Sequence, residues 1–135
     1  MLTKEQQERV RLLVAALRSK KYRQGKYALS KYSRIAKRRK LCCLGVACEI
    51  ARQNGLDLKI RTGSDGYRYY DRSHAVLPRA VQAWFGFDRS DPILINQNGG
   101  GSTASGLNDN AGYNFSQIAD AFERTFLKDN NDQNT

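Results

Sequence analysis

Between Arg18 and Lys40 the chain carries Arg18, Lys20, Lys21, Arg23, Lys26, Lys31, Arg34, Lys37, Arg38, Arg39 and Lys40, and no Asp or Glu. Tyr22, Tyr27 and Tyr32 are interleaved with them. Ammonium and guanidinium groups pair with phosphates and release condensed counterions, and tyrosine rings stack on bases. The pattern points to a surface for nucleic acid, a nucleotide or another phosphorylated ligand. Its expected contacts are Lys20, Lys21, Arg23, Lys26, Lys37, Arg38, Arg39 and Lys40, with Tyr22 as a stacking group. The bland alternative is that the tyrosines pack into the core and the charges are only solvated.

Other residue groups with chemical potential are weaker. Cys42, Cys43 and Cys48 crowd into seven residues, an odd count with no finger or ribbon spacing. The single histidine, His74, lies far along the chain. The cysteines therefore read as reduced, buried small hydrophobes rather than as disulfides, metal ligands or nucleophiles. Gly99-Gly100-Gly101-Ser102-Thr103 lacks the Gly-Lys-Ser/Thr ending of a P-loop and reads as a flexible loop. Asn108-Asp109 suits a helix cap or turn, with a ligand contact as the alternative. No nucleophile–base pair, carboxylate pair or metal set stands at a recognisable spacing, so no catalytic residue, cofactor or metal is expected. A non-enzymatic binding module is favoured over an enzyme.

These residues must be held by a fold that the patterning partly reveals. Val10, Leu13, Val14 and Leu17 form one stripe of a helix over 4–20, with Thr3 as N-cap. Cys43, Val46, Ala47, Ile50 and Ala51, widened by Leu44, predict a buried helix over 41–53 that Asn54-Gly55 stops. Leu77-Pro78 opens a third helix with Pro78 as its first residue, and Gly86 ends it; Trp84, Phe85 and Phe87 belong to the core. Asn114 or Ser116 caps a fourth, whose core face is Phe115, Ile118, Ala119, Phe122 and Phe126. A strand over 27–32, a hairpin over 56–71 turning at Ser64-Asp65-Gly66, and a strand at Ile93-Leu94-Ile95 complete the set. Lys37 to Lys40 reads as a loop, and 96–113 as a long flexible one. The expected fold is α+β: four helices packed on a small, mostly antiparallel sheet.

At 135 residues the length suits one domain, expected over 1–127, with 128–135 as a disordered polar tail. The net charge of +10 attracts anionic partners. No apolar run approaches the roughly 18 residues of a membrane span, and the first residues hold no secretory apolar stretch, so no membrane partner is expected. Patterning selects neither an oligomeric state nor a strand order.

Several stretches taken in order carry a resemblance. They are Ala16-Leu17-Arg18-Ser19 running into Lys21-Tyr22-Arg23-Gln24-Gly25-Lys26; Leu41-Cys42-Cys43-Leu44-Gly45-Val46-Ala47-Cys48; Leu77-Pro78 with Val81, Trp84, Phe85 and Gly86; and Leu107-Asn108-Asp109 with Gly112, Phe115, Ile118, Ala119 and Asp120. Together they resemble small proteins encoded by tailed bacteriophages and prophages, from about Ala16 to Glu123, and Cys-Cys-Leu-Gly-Val is the most specific block. The resemblance implies a viral origin, a host-cytoplasm setting and an accessory role during infection. It brings no catalytic role. The 96–106 insertion and the basic run at 37–40 depart from the pattern. That run stands beside the start of the cysteine-bearing helix, where a helix dipole prefers anions, which makes it the better candidate contact. The alternative function is a protein-binding effector whose basic surface meets an acidic host or phage protein.

Overall fold

The computed structural model describes residues 1–127, so the tail expected at 128–135 lies outside the described residues. Helix α1 (Lys4–Arg18) is fixed at its start by a capping box. The Thr3 hydroxyl accepts from the Gln6 N–H at 3.1 Å, and the Gln6 side chain accepts from the Thr3 N–H at 3.0 Å, which satisfies two otherwise orphaned donors. The predicted stripe of Val10, Leu13, Val14 and Leu17 is buried against α2 (Cys43–Gln53), α3 (Arg79–Phe85) and α5 (Phe115–Phe122). At its far end Arg18 donates to Asp120 at 2.5 Å and Glu123 at 2.6 Å.

The basic segment forms a three-stranded sheet of β1 (Arg23–Gln24), β2 (Ser30–Ser33) and β3 (Arg38–Leu41) in the order β1-β3-β2. β3 runs antiparallel to β2 and parallel to β1. This corrects two expectations. The run at 37–40 is not a loop: all of it but Lys37 lies in the central strand. Tyr27 is not in a strand but stands at φ 67°. Arg-Arg-Lys-Leu has little strand propensity of its own, and pairing on both edges overrides it.

Helix α2 is the centre of the molecule, with every residue from Cys43 to Ala51 buried. Asn54-Gly55 ends it as predicted, with Gly55 at φ 100°. The hairpin is β4 (Ile60–Thr62) and β5 (Arg68–Tyr70). It is shorter than the pattern suggested, because Leu56 and Leu58 pack on the core outside the strand. In α3, Pro78 is the N-cap rather than the first helical residue, and Gly86 closes the helix at φ 82°. Phe87 folds back to stack on Phe85, with ring centres 5.1 Å apart.

The expected flexible loop at 96–113 is ordered instead. β6 (Ile93–Ile95) pairs with β7 (Gly101–Thr103), and α4 (Ala104–Asp109) follows. The Asn96 carboxamide builds the turn: Oδ1 accepts from the N–H groups of Asn98 and Gly100, and Nδ2 donates to Ser102. Thr103 caps α4. Short polar side chains here replace backbone partners rather than loosen the chain. Asn114, not Ser116, caps α5 in a second capping box with Gln117, and a π-helical turn (Glu123–Leu127) continues it. The expected α+β single domain holds: among the described residues there are five α-helices, of which α4 is a short addition to the four expected, and three small, mostly antiparallel sheets rather than one. No helix in it is long and apolar enough to cross a membrane.

Candidate functional site

Strand alternation sorts the cations of β3. Leu41 and its register partner Ser30 are buried, so Leu41 and Arg39 face inward, while Arg38 and Lys40 face outward. Lys40 is in register with Arg23 on one side and Lys31 on the other. The outer face thus carries the row Arg23–Lys40–Lys31 across three strands, about 10 Å long at normal strand spacing. Beside it opens a cleft of about 460 Å³ whose lining includes Lys26, Lys31, Arg34 and Lys40, with Tyr32 and Ile35 and a single carboxylate, Asp65. The Lys31 ammonium also lies 4.8 Å from the centre of the Tyr67 ring.

The ion pairs show which cations are committed to the fold. Arg18 is held by Asp120 and Glu123, which raise its pKa further. Arg11 pairs with Glu8, Arg9 with Glu5, and Arg52 and Arg68 with Glu49. Among the described residues no carboxylate lies within ion-pair distance of Lys20, Lys21, Arg23, Lys26, Lys31, Arg34, Lys37, Arg38, Arg39 or Lys40.

The sequence-predicted contacts do not all meet. Lys26 and Lys40 share the outer cleft, whereas Arg23, Arg38 and Arg39 line another one together with Lys21. Lys37 is in the exposed β2–β3 turn at φ 54°. Lys20, at φ 64°, lines a separate groove with Arg18, Arg23 and Asn114. Tyr22 is half-buried against the core, and its hydroxyl accepts from Gln53 at 2.9 Å; the exposed rings are Tyr27 and Tyr32, at 68% and 43%. Lys31 and Arg34 belong to the cleft although their spacing alone did not single them out.

Arg39 is the inward exception. Its Nη1 donates to Ser30 Oγ and to the Gly66 carbonyl, both at 3.1 Å. Burial, then the nearby positive charge of Arg68, lowers its pKa. Next to it Glu49 is buried, accepting from the Tyr70 hydroxyl at 2.6 Å and from Arg52 at 2.9 Å. Burial alone would raise the Glu49 carboxyl, but the Tyr70 and Arg52 hydrogen bonds and the adjacent guanidiniums outweigh it and hold the pKa below its ordinary value. Burial and Glu49 raise the Tyr70 phenol in turn. A depressed carboxyl contributes stability that is complete above pH 4.5 and is lost as pH falls through the folded-state pKa. Glu49→Gln is expected to cost roughly 1–3 kcal/mol at pH 7 and to flatten the acid side of the stability profile. Urea unfolding of both proteins at neutral and acid pH checks this; parallel profiles would refute it.

The cysteines are all free and buried. Burial pushes the Cys42 thiol up to about 11 and Cys43 and Cys48 well above their ordinary value, so they stay protonated at neutral pH and are poor nucleophiles. His74 is exposed and lies against the rings of Tyr67 and Tyr69. Among the described residues no three His, Cys, Asp or Glu side chains group so as to hold a metal ion. Asn108 holds the site's frame rather than capping the last helix. Its Oδ1 accepts from the Cys43 N–H and from Gln24, and its Nδ2 donates to the Gly25 carbonyl and to Asp109. Asp109 accepts from the Tyr27 N–H at 3.1 Å.

The chain belongs to the family described as domain of unknown function DUF8296, which matches residues 6–126. Comparison with curated proteins and with solved structures finds no match.

Proposed function

We propose that this protein binds nucleic acid, without enzymatic activity, through the outer face of the β1-β3-β2 sheet. The observation that carries the reading is the Arg23–Lys40–Lys31 row beside a cleft with Lys26 and Arg34, all free of carboxylate partners among the described residues. Self-repulsion of this kind weakens a fold unless an anion neutralises it. Tyr32 lines the cleft and Tyr27 follows Lys26 in the chain; both are exposed and offer rings for bases. Tyr27 is held at positive φ, where a bulky side chain is strained, and such strain concentrates at functional positions. The resemblance of the Cys42-Cys43-Leu44-Gly45-Val46 block to phage and prophage proteins supports an accessory role in an infected host's cytoplasm.

Fluorescence anisotropy with single- and double-stranded oligonucleotides tests this. If the row and cleft neutralise about four phosphates, log K falls against log salt with a slope of roughly −3 to −4. Lys31→Gln combined with Lys40→Gln is expected to weaken binding about tenfold or more and to reduce that slope by about 2. Absence of binding at about 50 mM salt would overturn the reading, since electrostatic binding is strongest there.

A second reading is favoured by Ile35, 98% exposed on the cleft's rim. Nucleic acid gives an aliphatic side chain little, whereas an acidic patch with an apolar centre would use it together with the cations. A stoichiometric protein partner that survives nuclease treatment and is lost in Ile35→Asp supports this protein-binding effector instead.

A further inference from the structure

The Arg39 side of the same sheet borders a second cleft, about 300 Å³, whose charged lining is Lys21, Arg23, Arg38, Arg39, Arg68 and Glu49. Five of these six are cations, and the carboxylate among them is already engaged. Glu49 Oε1 accepts from Arg52 at 2.9 Å, and Oε2 accepts from Tyr70 at 2.6 Å and from Arg68 at 3.5 Å. Arg39 has only neutral acceptors, Ser30 Oγ and the Gly66 carbonyl. The Arg68 Nε is buried with no hydrogen-bond partner among the described residues.

Two half-buried guanidiniums, Arg39 and Arg68, thus share one wall of a cleft whose carboxylate is already engaged, and Arg68 raises the cost of the Arg39 charge. A cleft lined by one sign of charge focuses its field and concentrates counter-ions. We infer that this cleft seats a phosphate group, as the free anion or as the phosphate of a small ester, apart from the cleft that Lys31 and Lys40 line. Guanidinium forks match phosphate oxygens in geometry as well as charge. The volume sits at the low end for small-ligand sites, and Tyr22 supplies an aromatic wall for the organic part of an ester.

The test uses the full chain, with thermal melting and calorimetric titration against inorganic phosphate and adenosine monophosphate, each compared with chloride at equal ionic strength. A saturable rise in Tm beyond that given by chloride is expected. Tighter binding of the monophosphate identifies an ester as the occupant, and equal binding identifies the bare anion. Arg39→Gln should weaken the phosphate interaction about tenfold or more, the loss of a hydrogen bond between charged groups. Lys21→Gln, on an exposed side chain at the mouth, should weaken it about threefold and leave the fold intact. Lys31→Gln with Lys40→Gln, on the outer face, should leave it unchanged. No effect beyond chloride, wild-type affinity in Lys21→Gln, or loss confined to the outer-face variant would each overturn the assignment. Should Arg39→Gln fail to fold, the Lys21→Gln titration decides.

Discussion

Gly45→Ala is expected to lower the melting temperature by about 10–20 °C or to abolish the cooperative transition altogether. In an exposed helix the same change would stabilise, by up to about 1 kcal/mol. Here a Cβ on Gly45 would stand 1.7 Å from the Leu29 carbonyl oxygen and 2.6 Å from its carbon. The obstruction is backbone, so no rotamer relieves it. Leu29 cannot retreat easily, because its N–H donates to the His74 carbonyl at 2.7 Å and the neighbouring Ala28 carbonyl accepts from Cys42. Helix α2 cannot retreat either, because it is buried along its length from Cys43 to Ala51. Overpacking usually costs about 1–3 kcal/mol; a clash with pinned backbone on both sides should exceed that, at roughly 3–5 kcal/mol. A domain of ordinary stability, about 5–15 kcal/mol, would lose a large share of it. Thermal melting followed by circular dichroism measures the effect, and a Gly45→Ala protein melting within about 2 °C of the parent would refute the packing argument.

The second large effect is expected at Asn108, which is fully buried. Asn108→Asp keeps the acceptor that serves Cys43 and Gln24 but replaces the donor. A second oxygen would then face the Gly25 carbonyl and the Asp109 carboxylate, both now held at 2.8 Å by the amide. An unpaired buried charge beside a like charge should cost about 3–5 kcal/mol. Asn108→Ala should cost a similar amount by a different route, leaving its partners without a bond. The two separate with pH. Burial and Asp109 raise the folded-state pKa of the introduced carboxyl, so its penalty is absent below the unfolded value of about 4 and grows as pH rises. Denaturant unfolding at acid and neutral pH should therefore show Asn108→Asp recovering in acid while Asn108→Ala does not. Equal pH profiles would show that the donor side of the amide is unimportant.

These two residues also show what sequence reading reaches. Helix α1 was legible because four apolar residues repeat at helical spacing and Thr3 offers an N-cap just before them. Helix α2 was legible from the same periodicity and its Asn54-Gly55 stop. The central strand β3 was not, because one apolar residue in four carries no pattern; partners at 23–24 and 30–33 make it a strand. The ordered 96–109 region was hidden by Asn, Gly and Ser, whose side chains serve a turn and caps just as readily as they accompany disorder. The charge of the site was visible in composition, but its division between two faces depends on register. Lys40 and Arg39 are neighbours in sequence and point to opposite sides. Arg68 was missed because it arrives from the hairpin, with nothing near it in sequence to mark it. The capping role of Asn108 for α2 could not be read at all, since its partner lies 65 residues away.

That distance has a consequence in time. The hydrogen bonds that frame the basic sheet join Gln24 and Gly25 to Asn108, 84 and 83 residues later. At ribosomal rates of about 5–20 residues per second, roughly 4–17 s separate the synthesis of the two ends. During that interval the cationic segment lacks the side chain that ties Gln24, Gly25 and Cys43 together. The nascent protein therefore carries its positive charge early and the full frame of its basic sheet late.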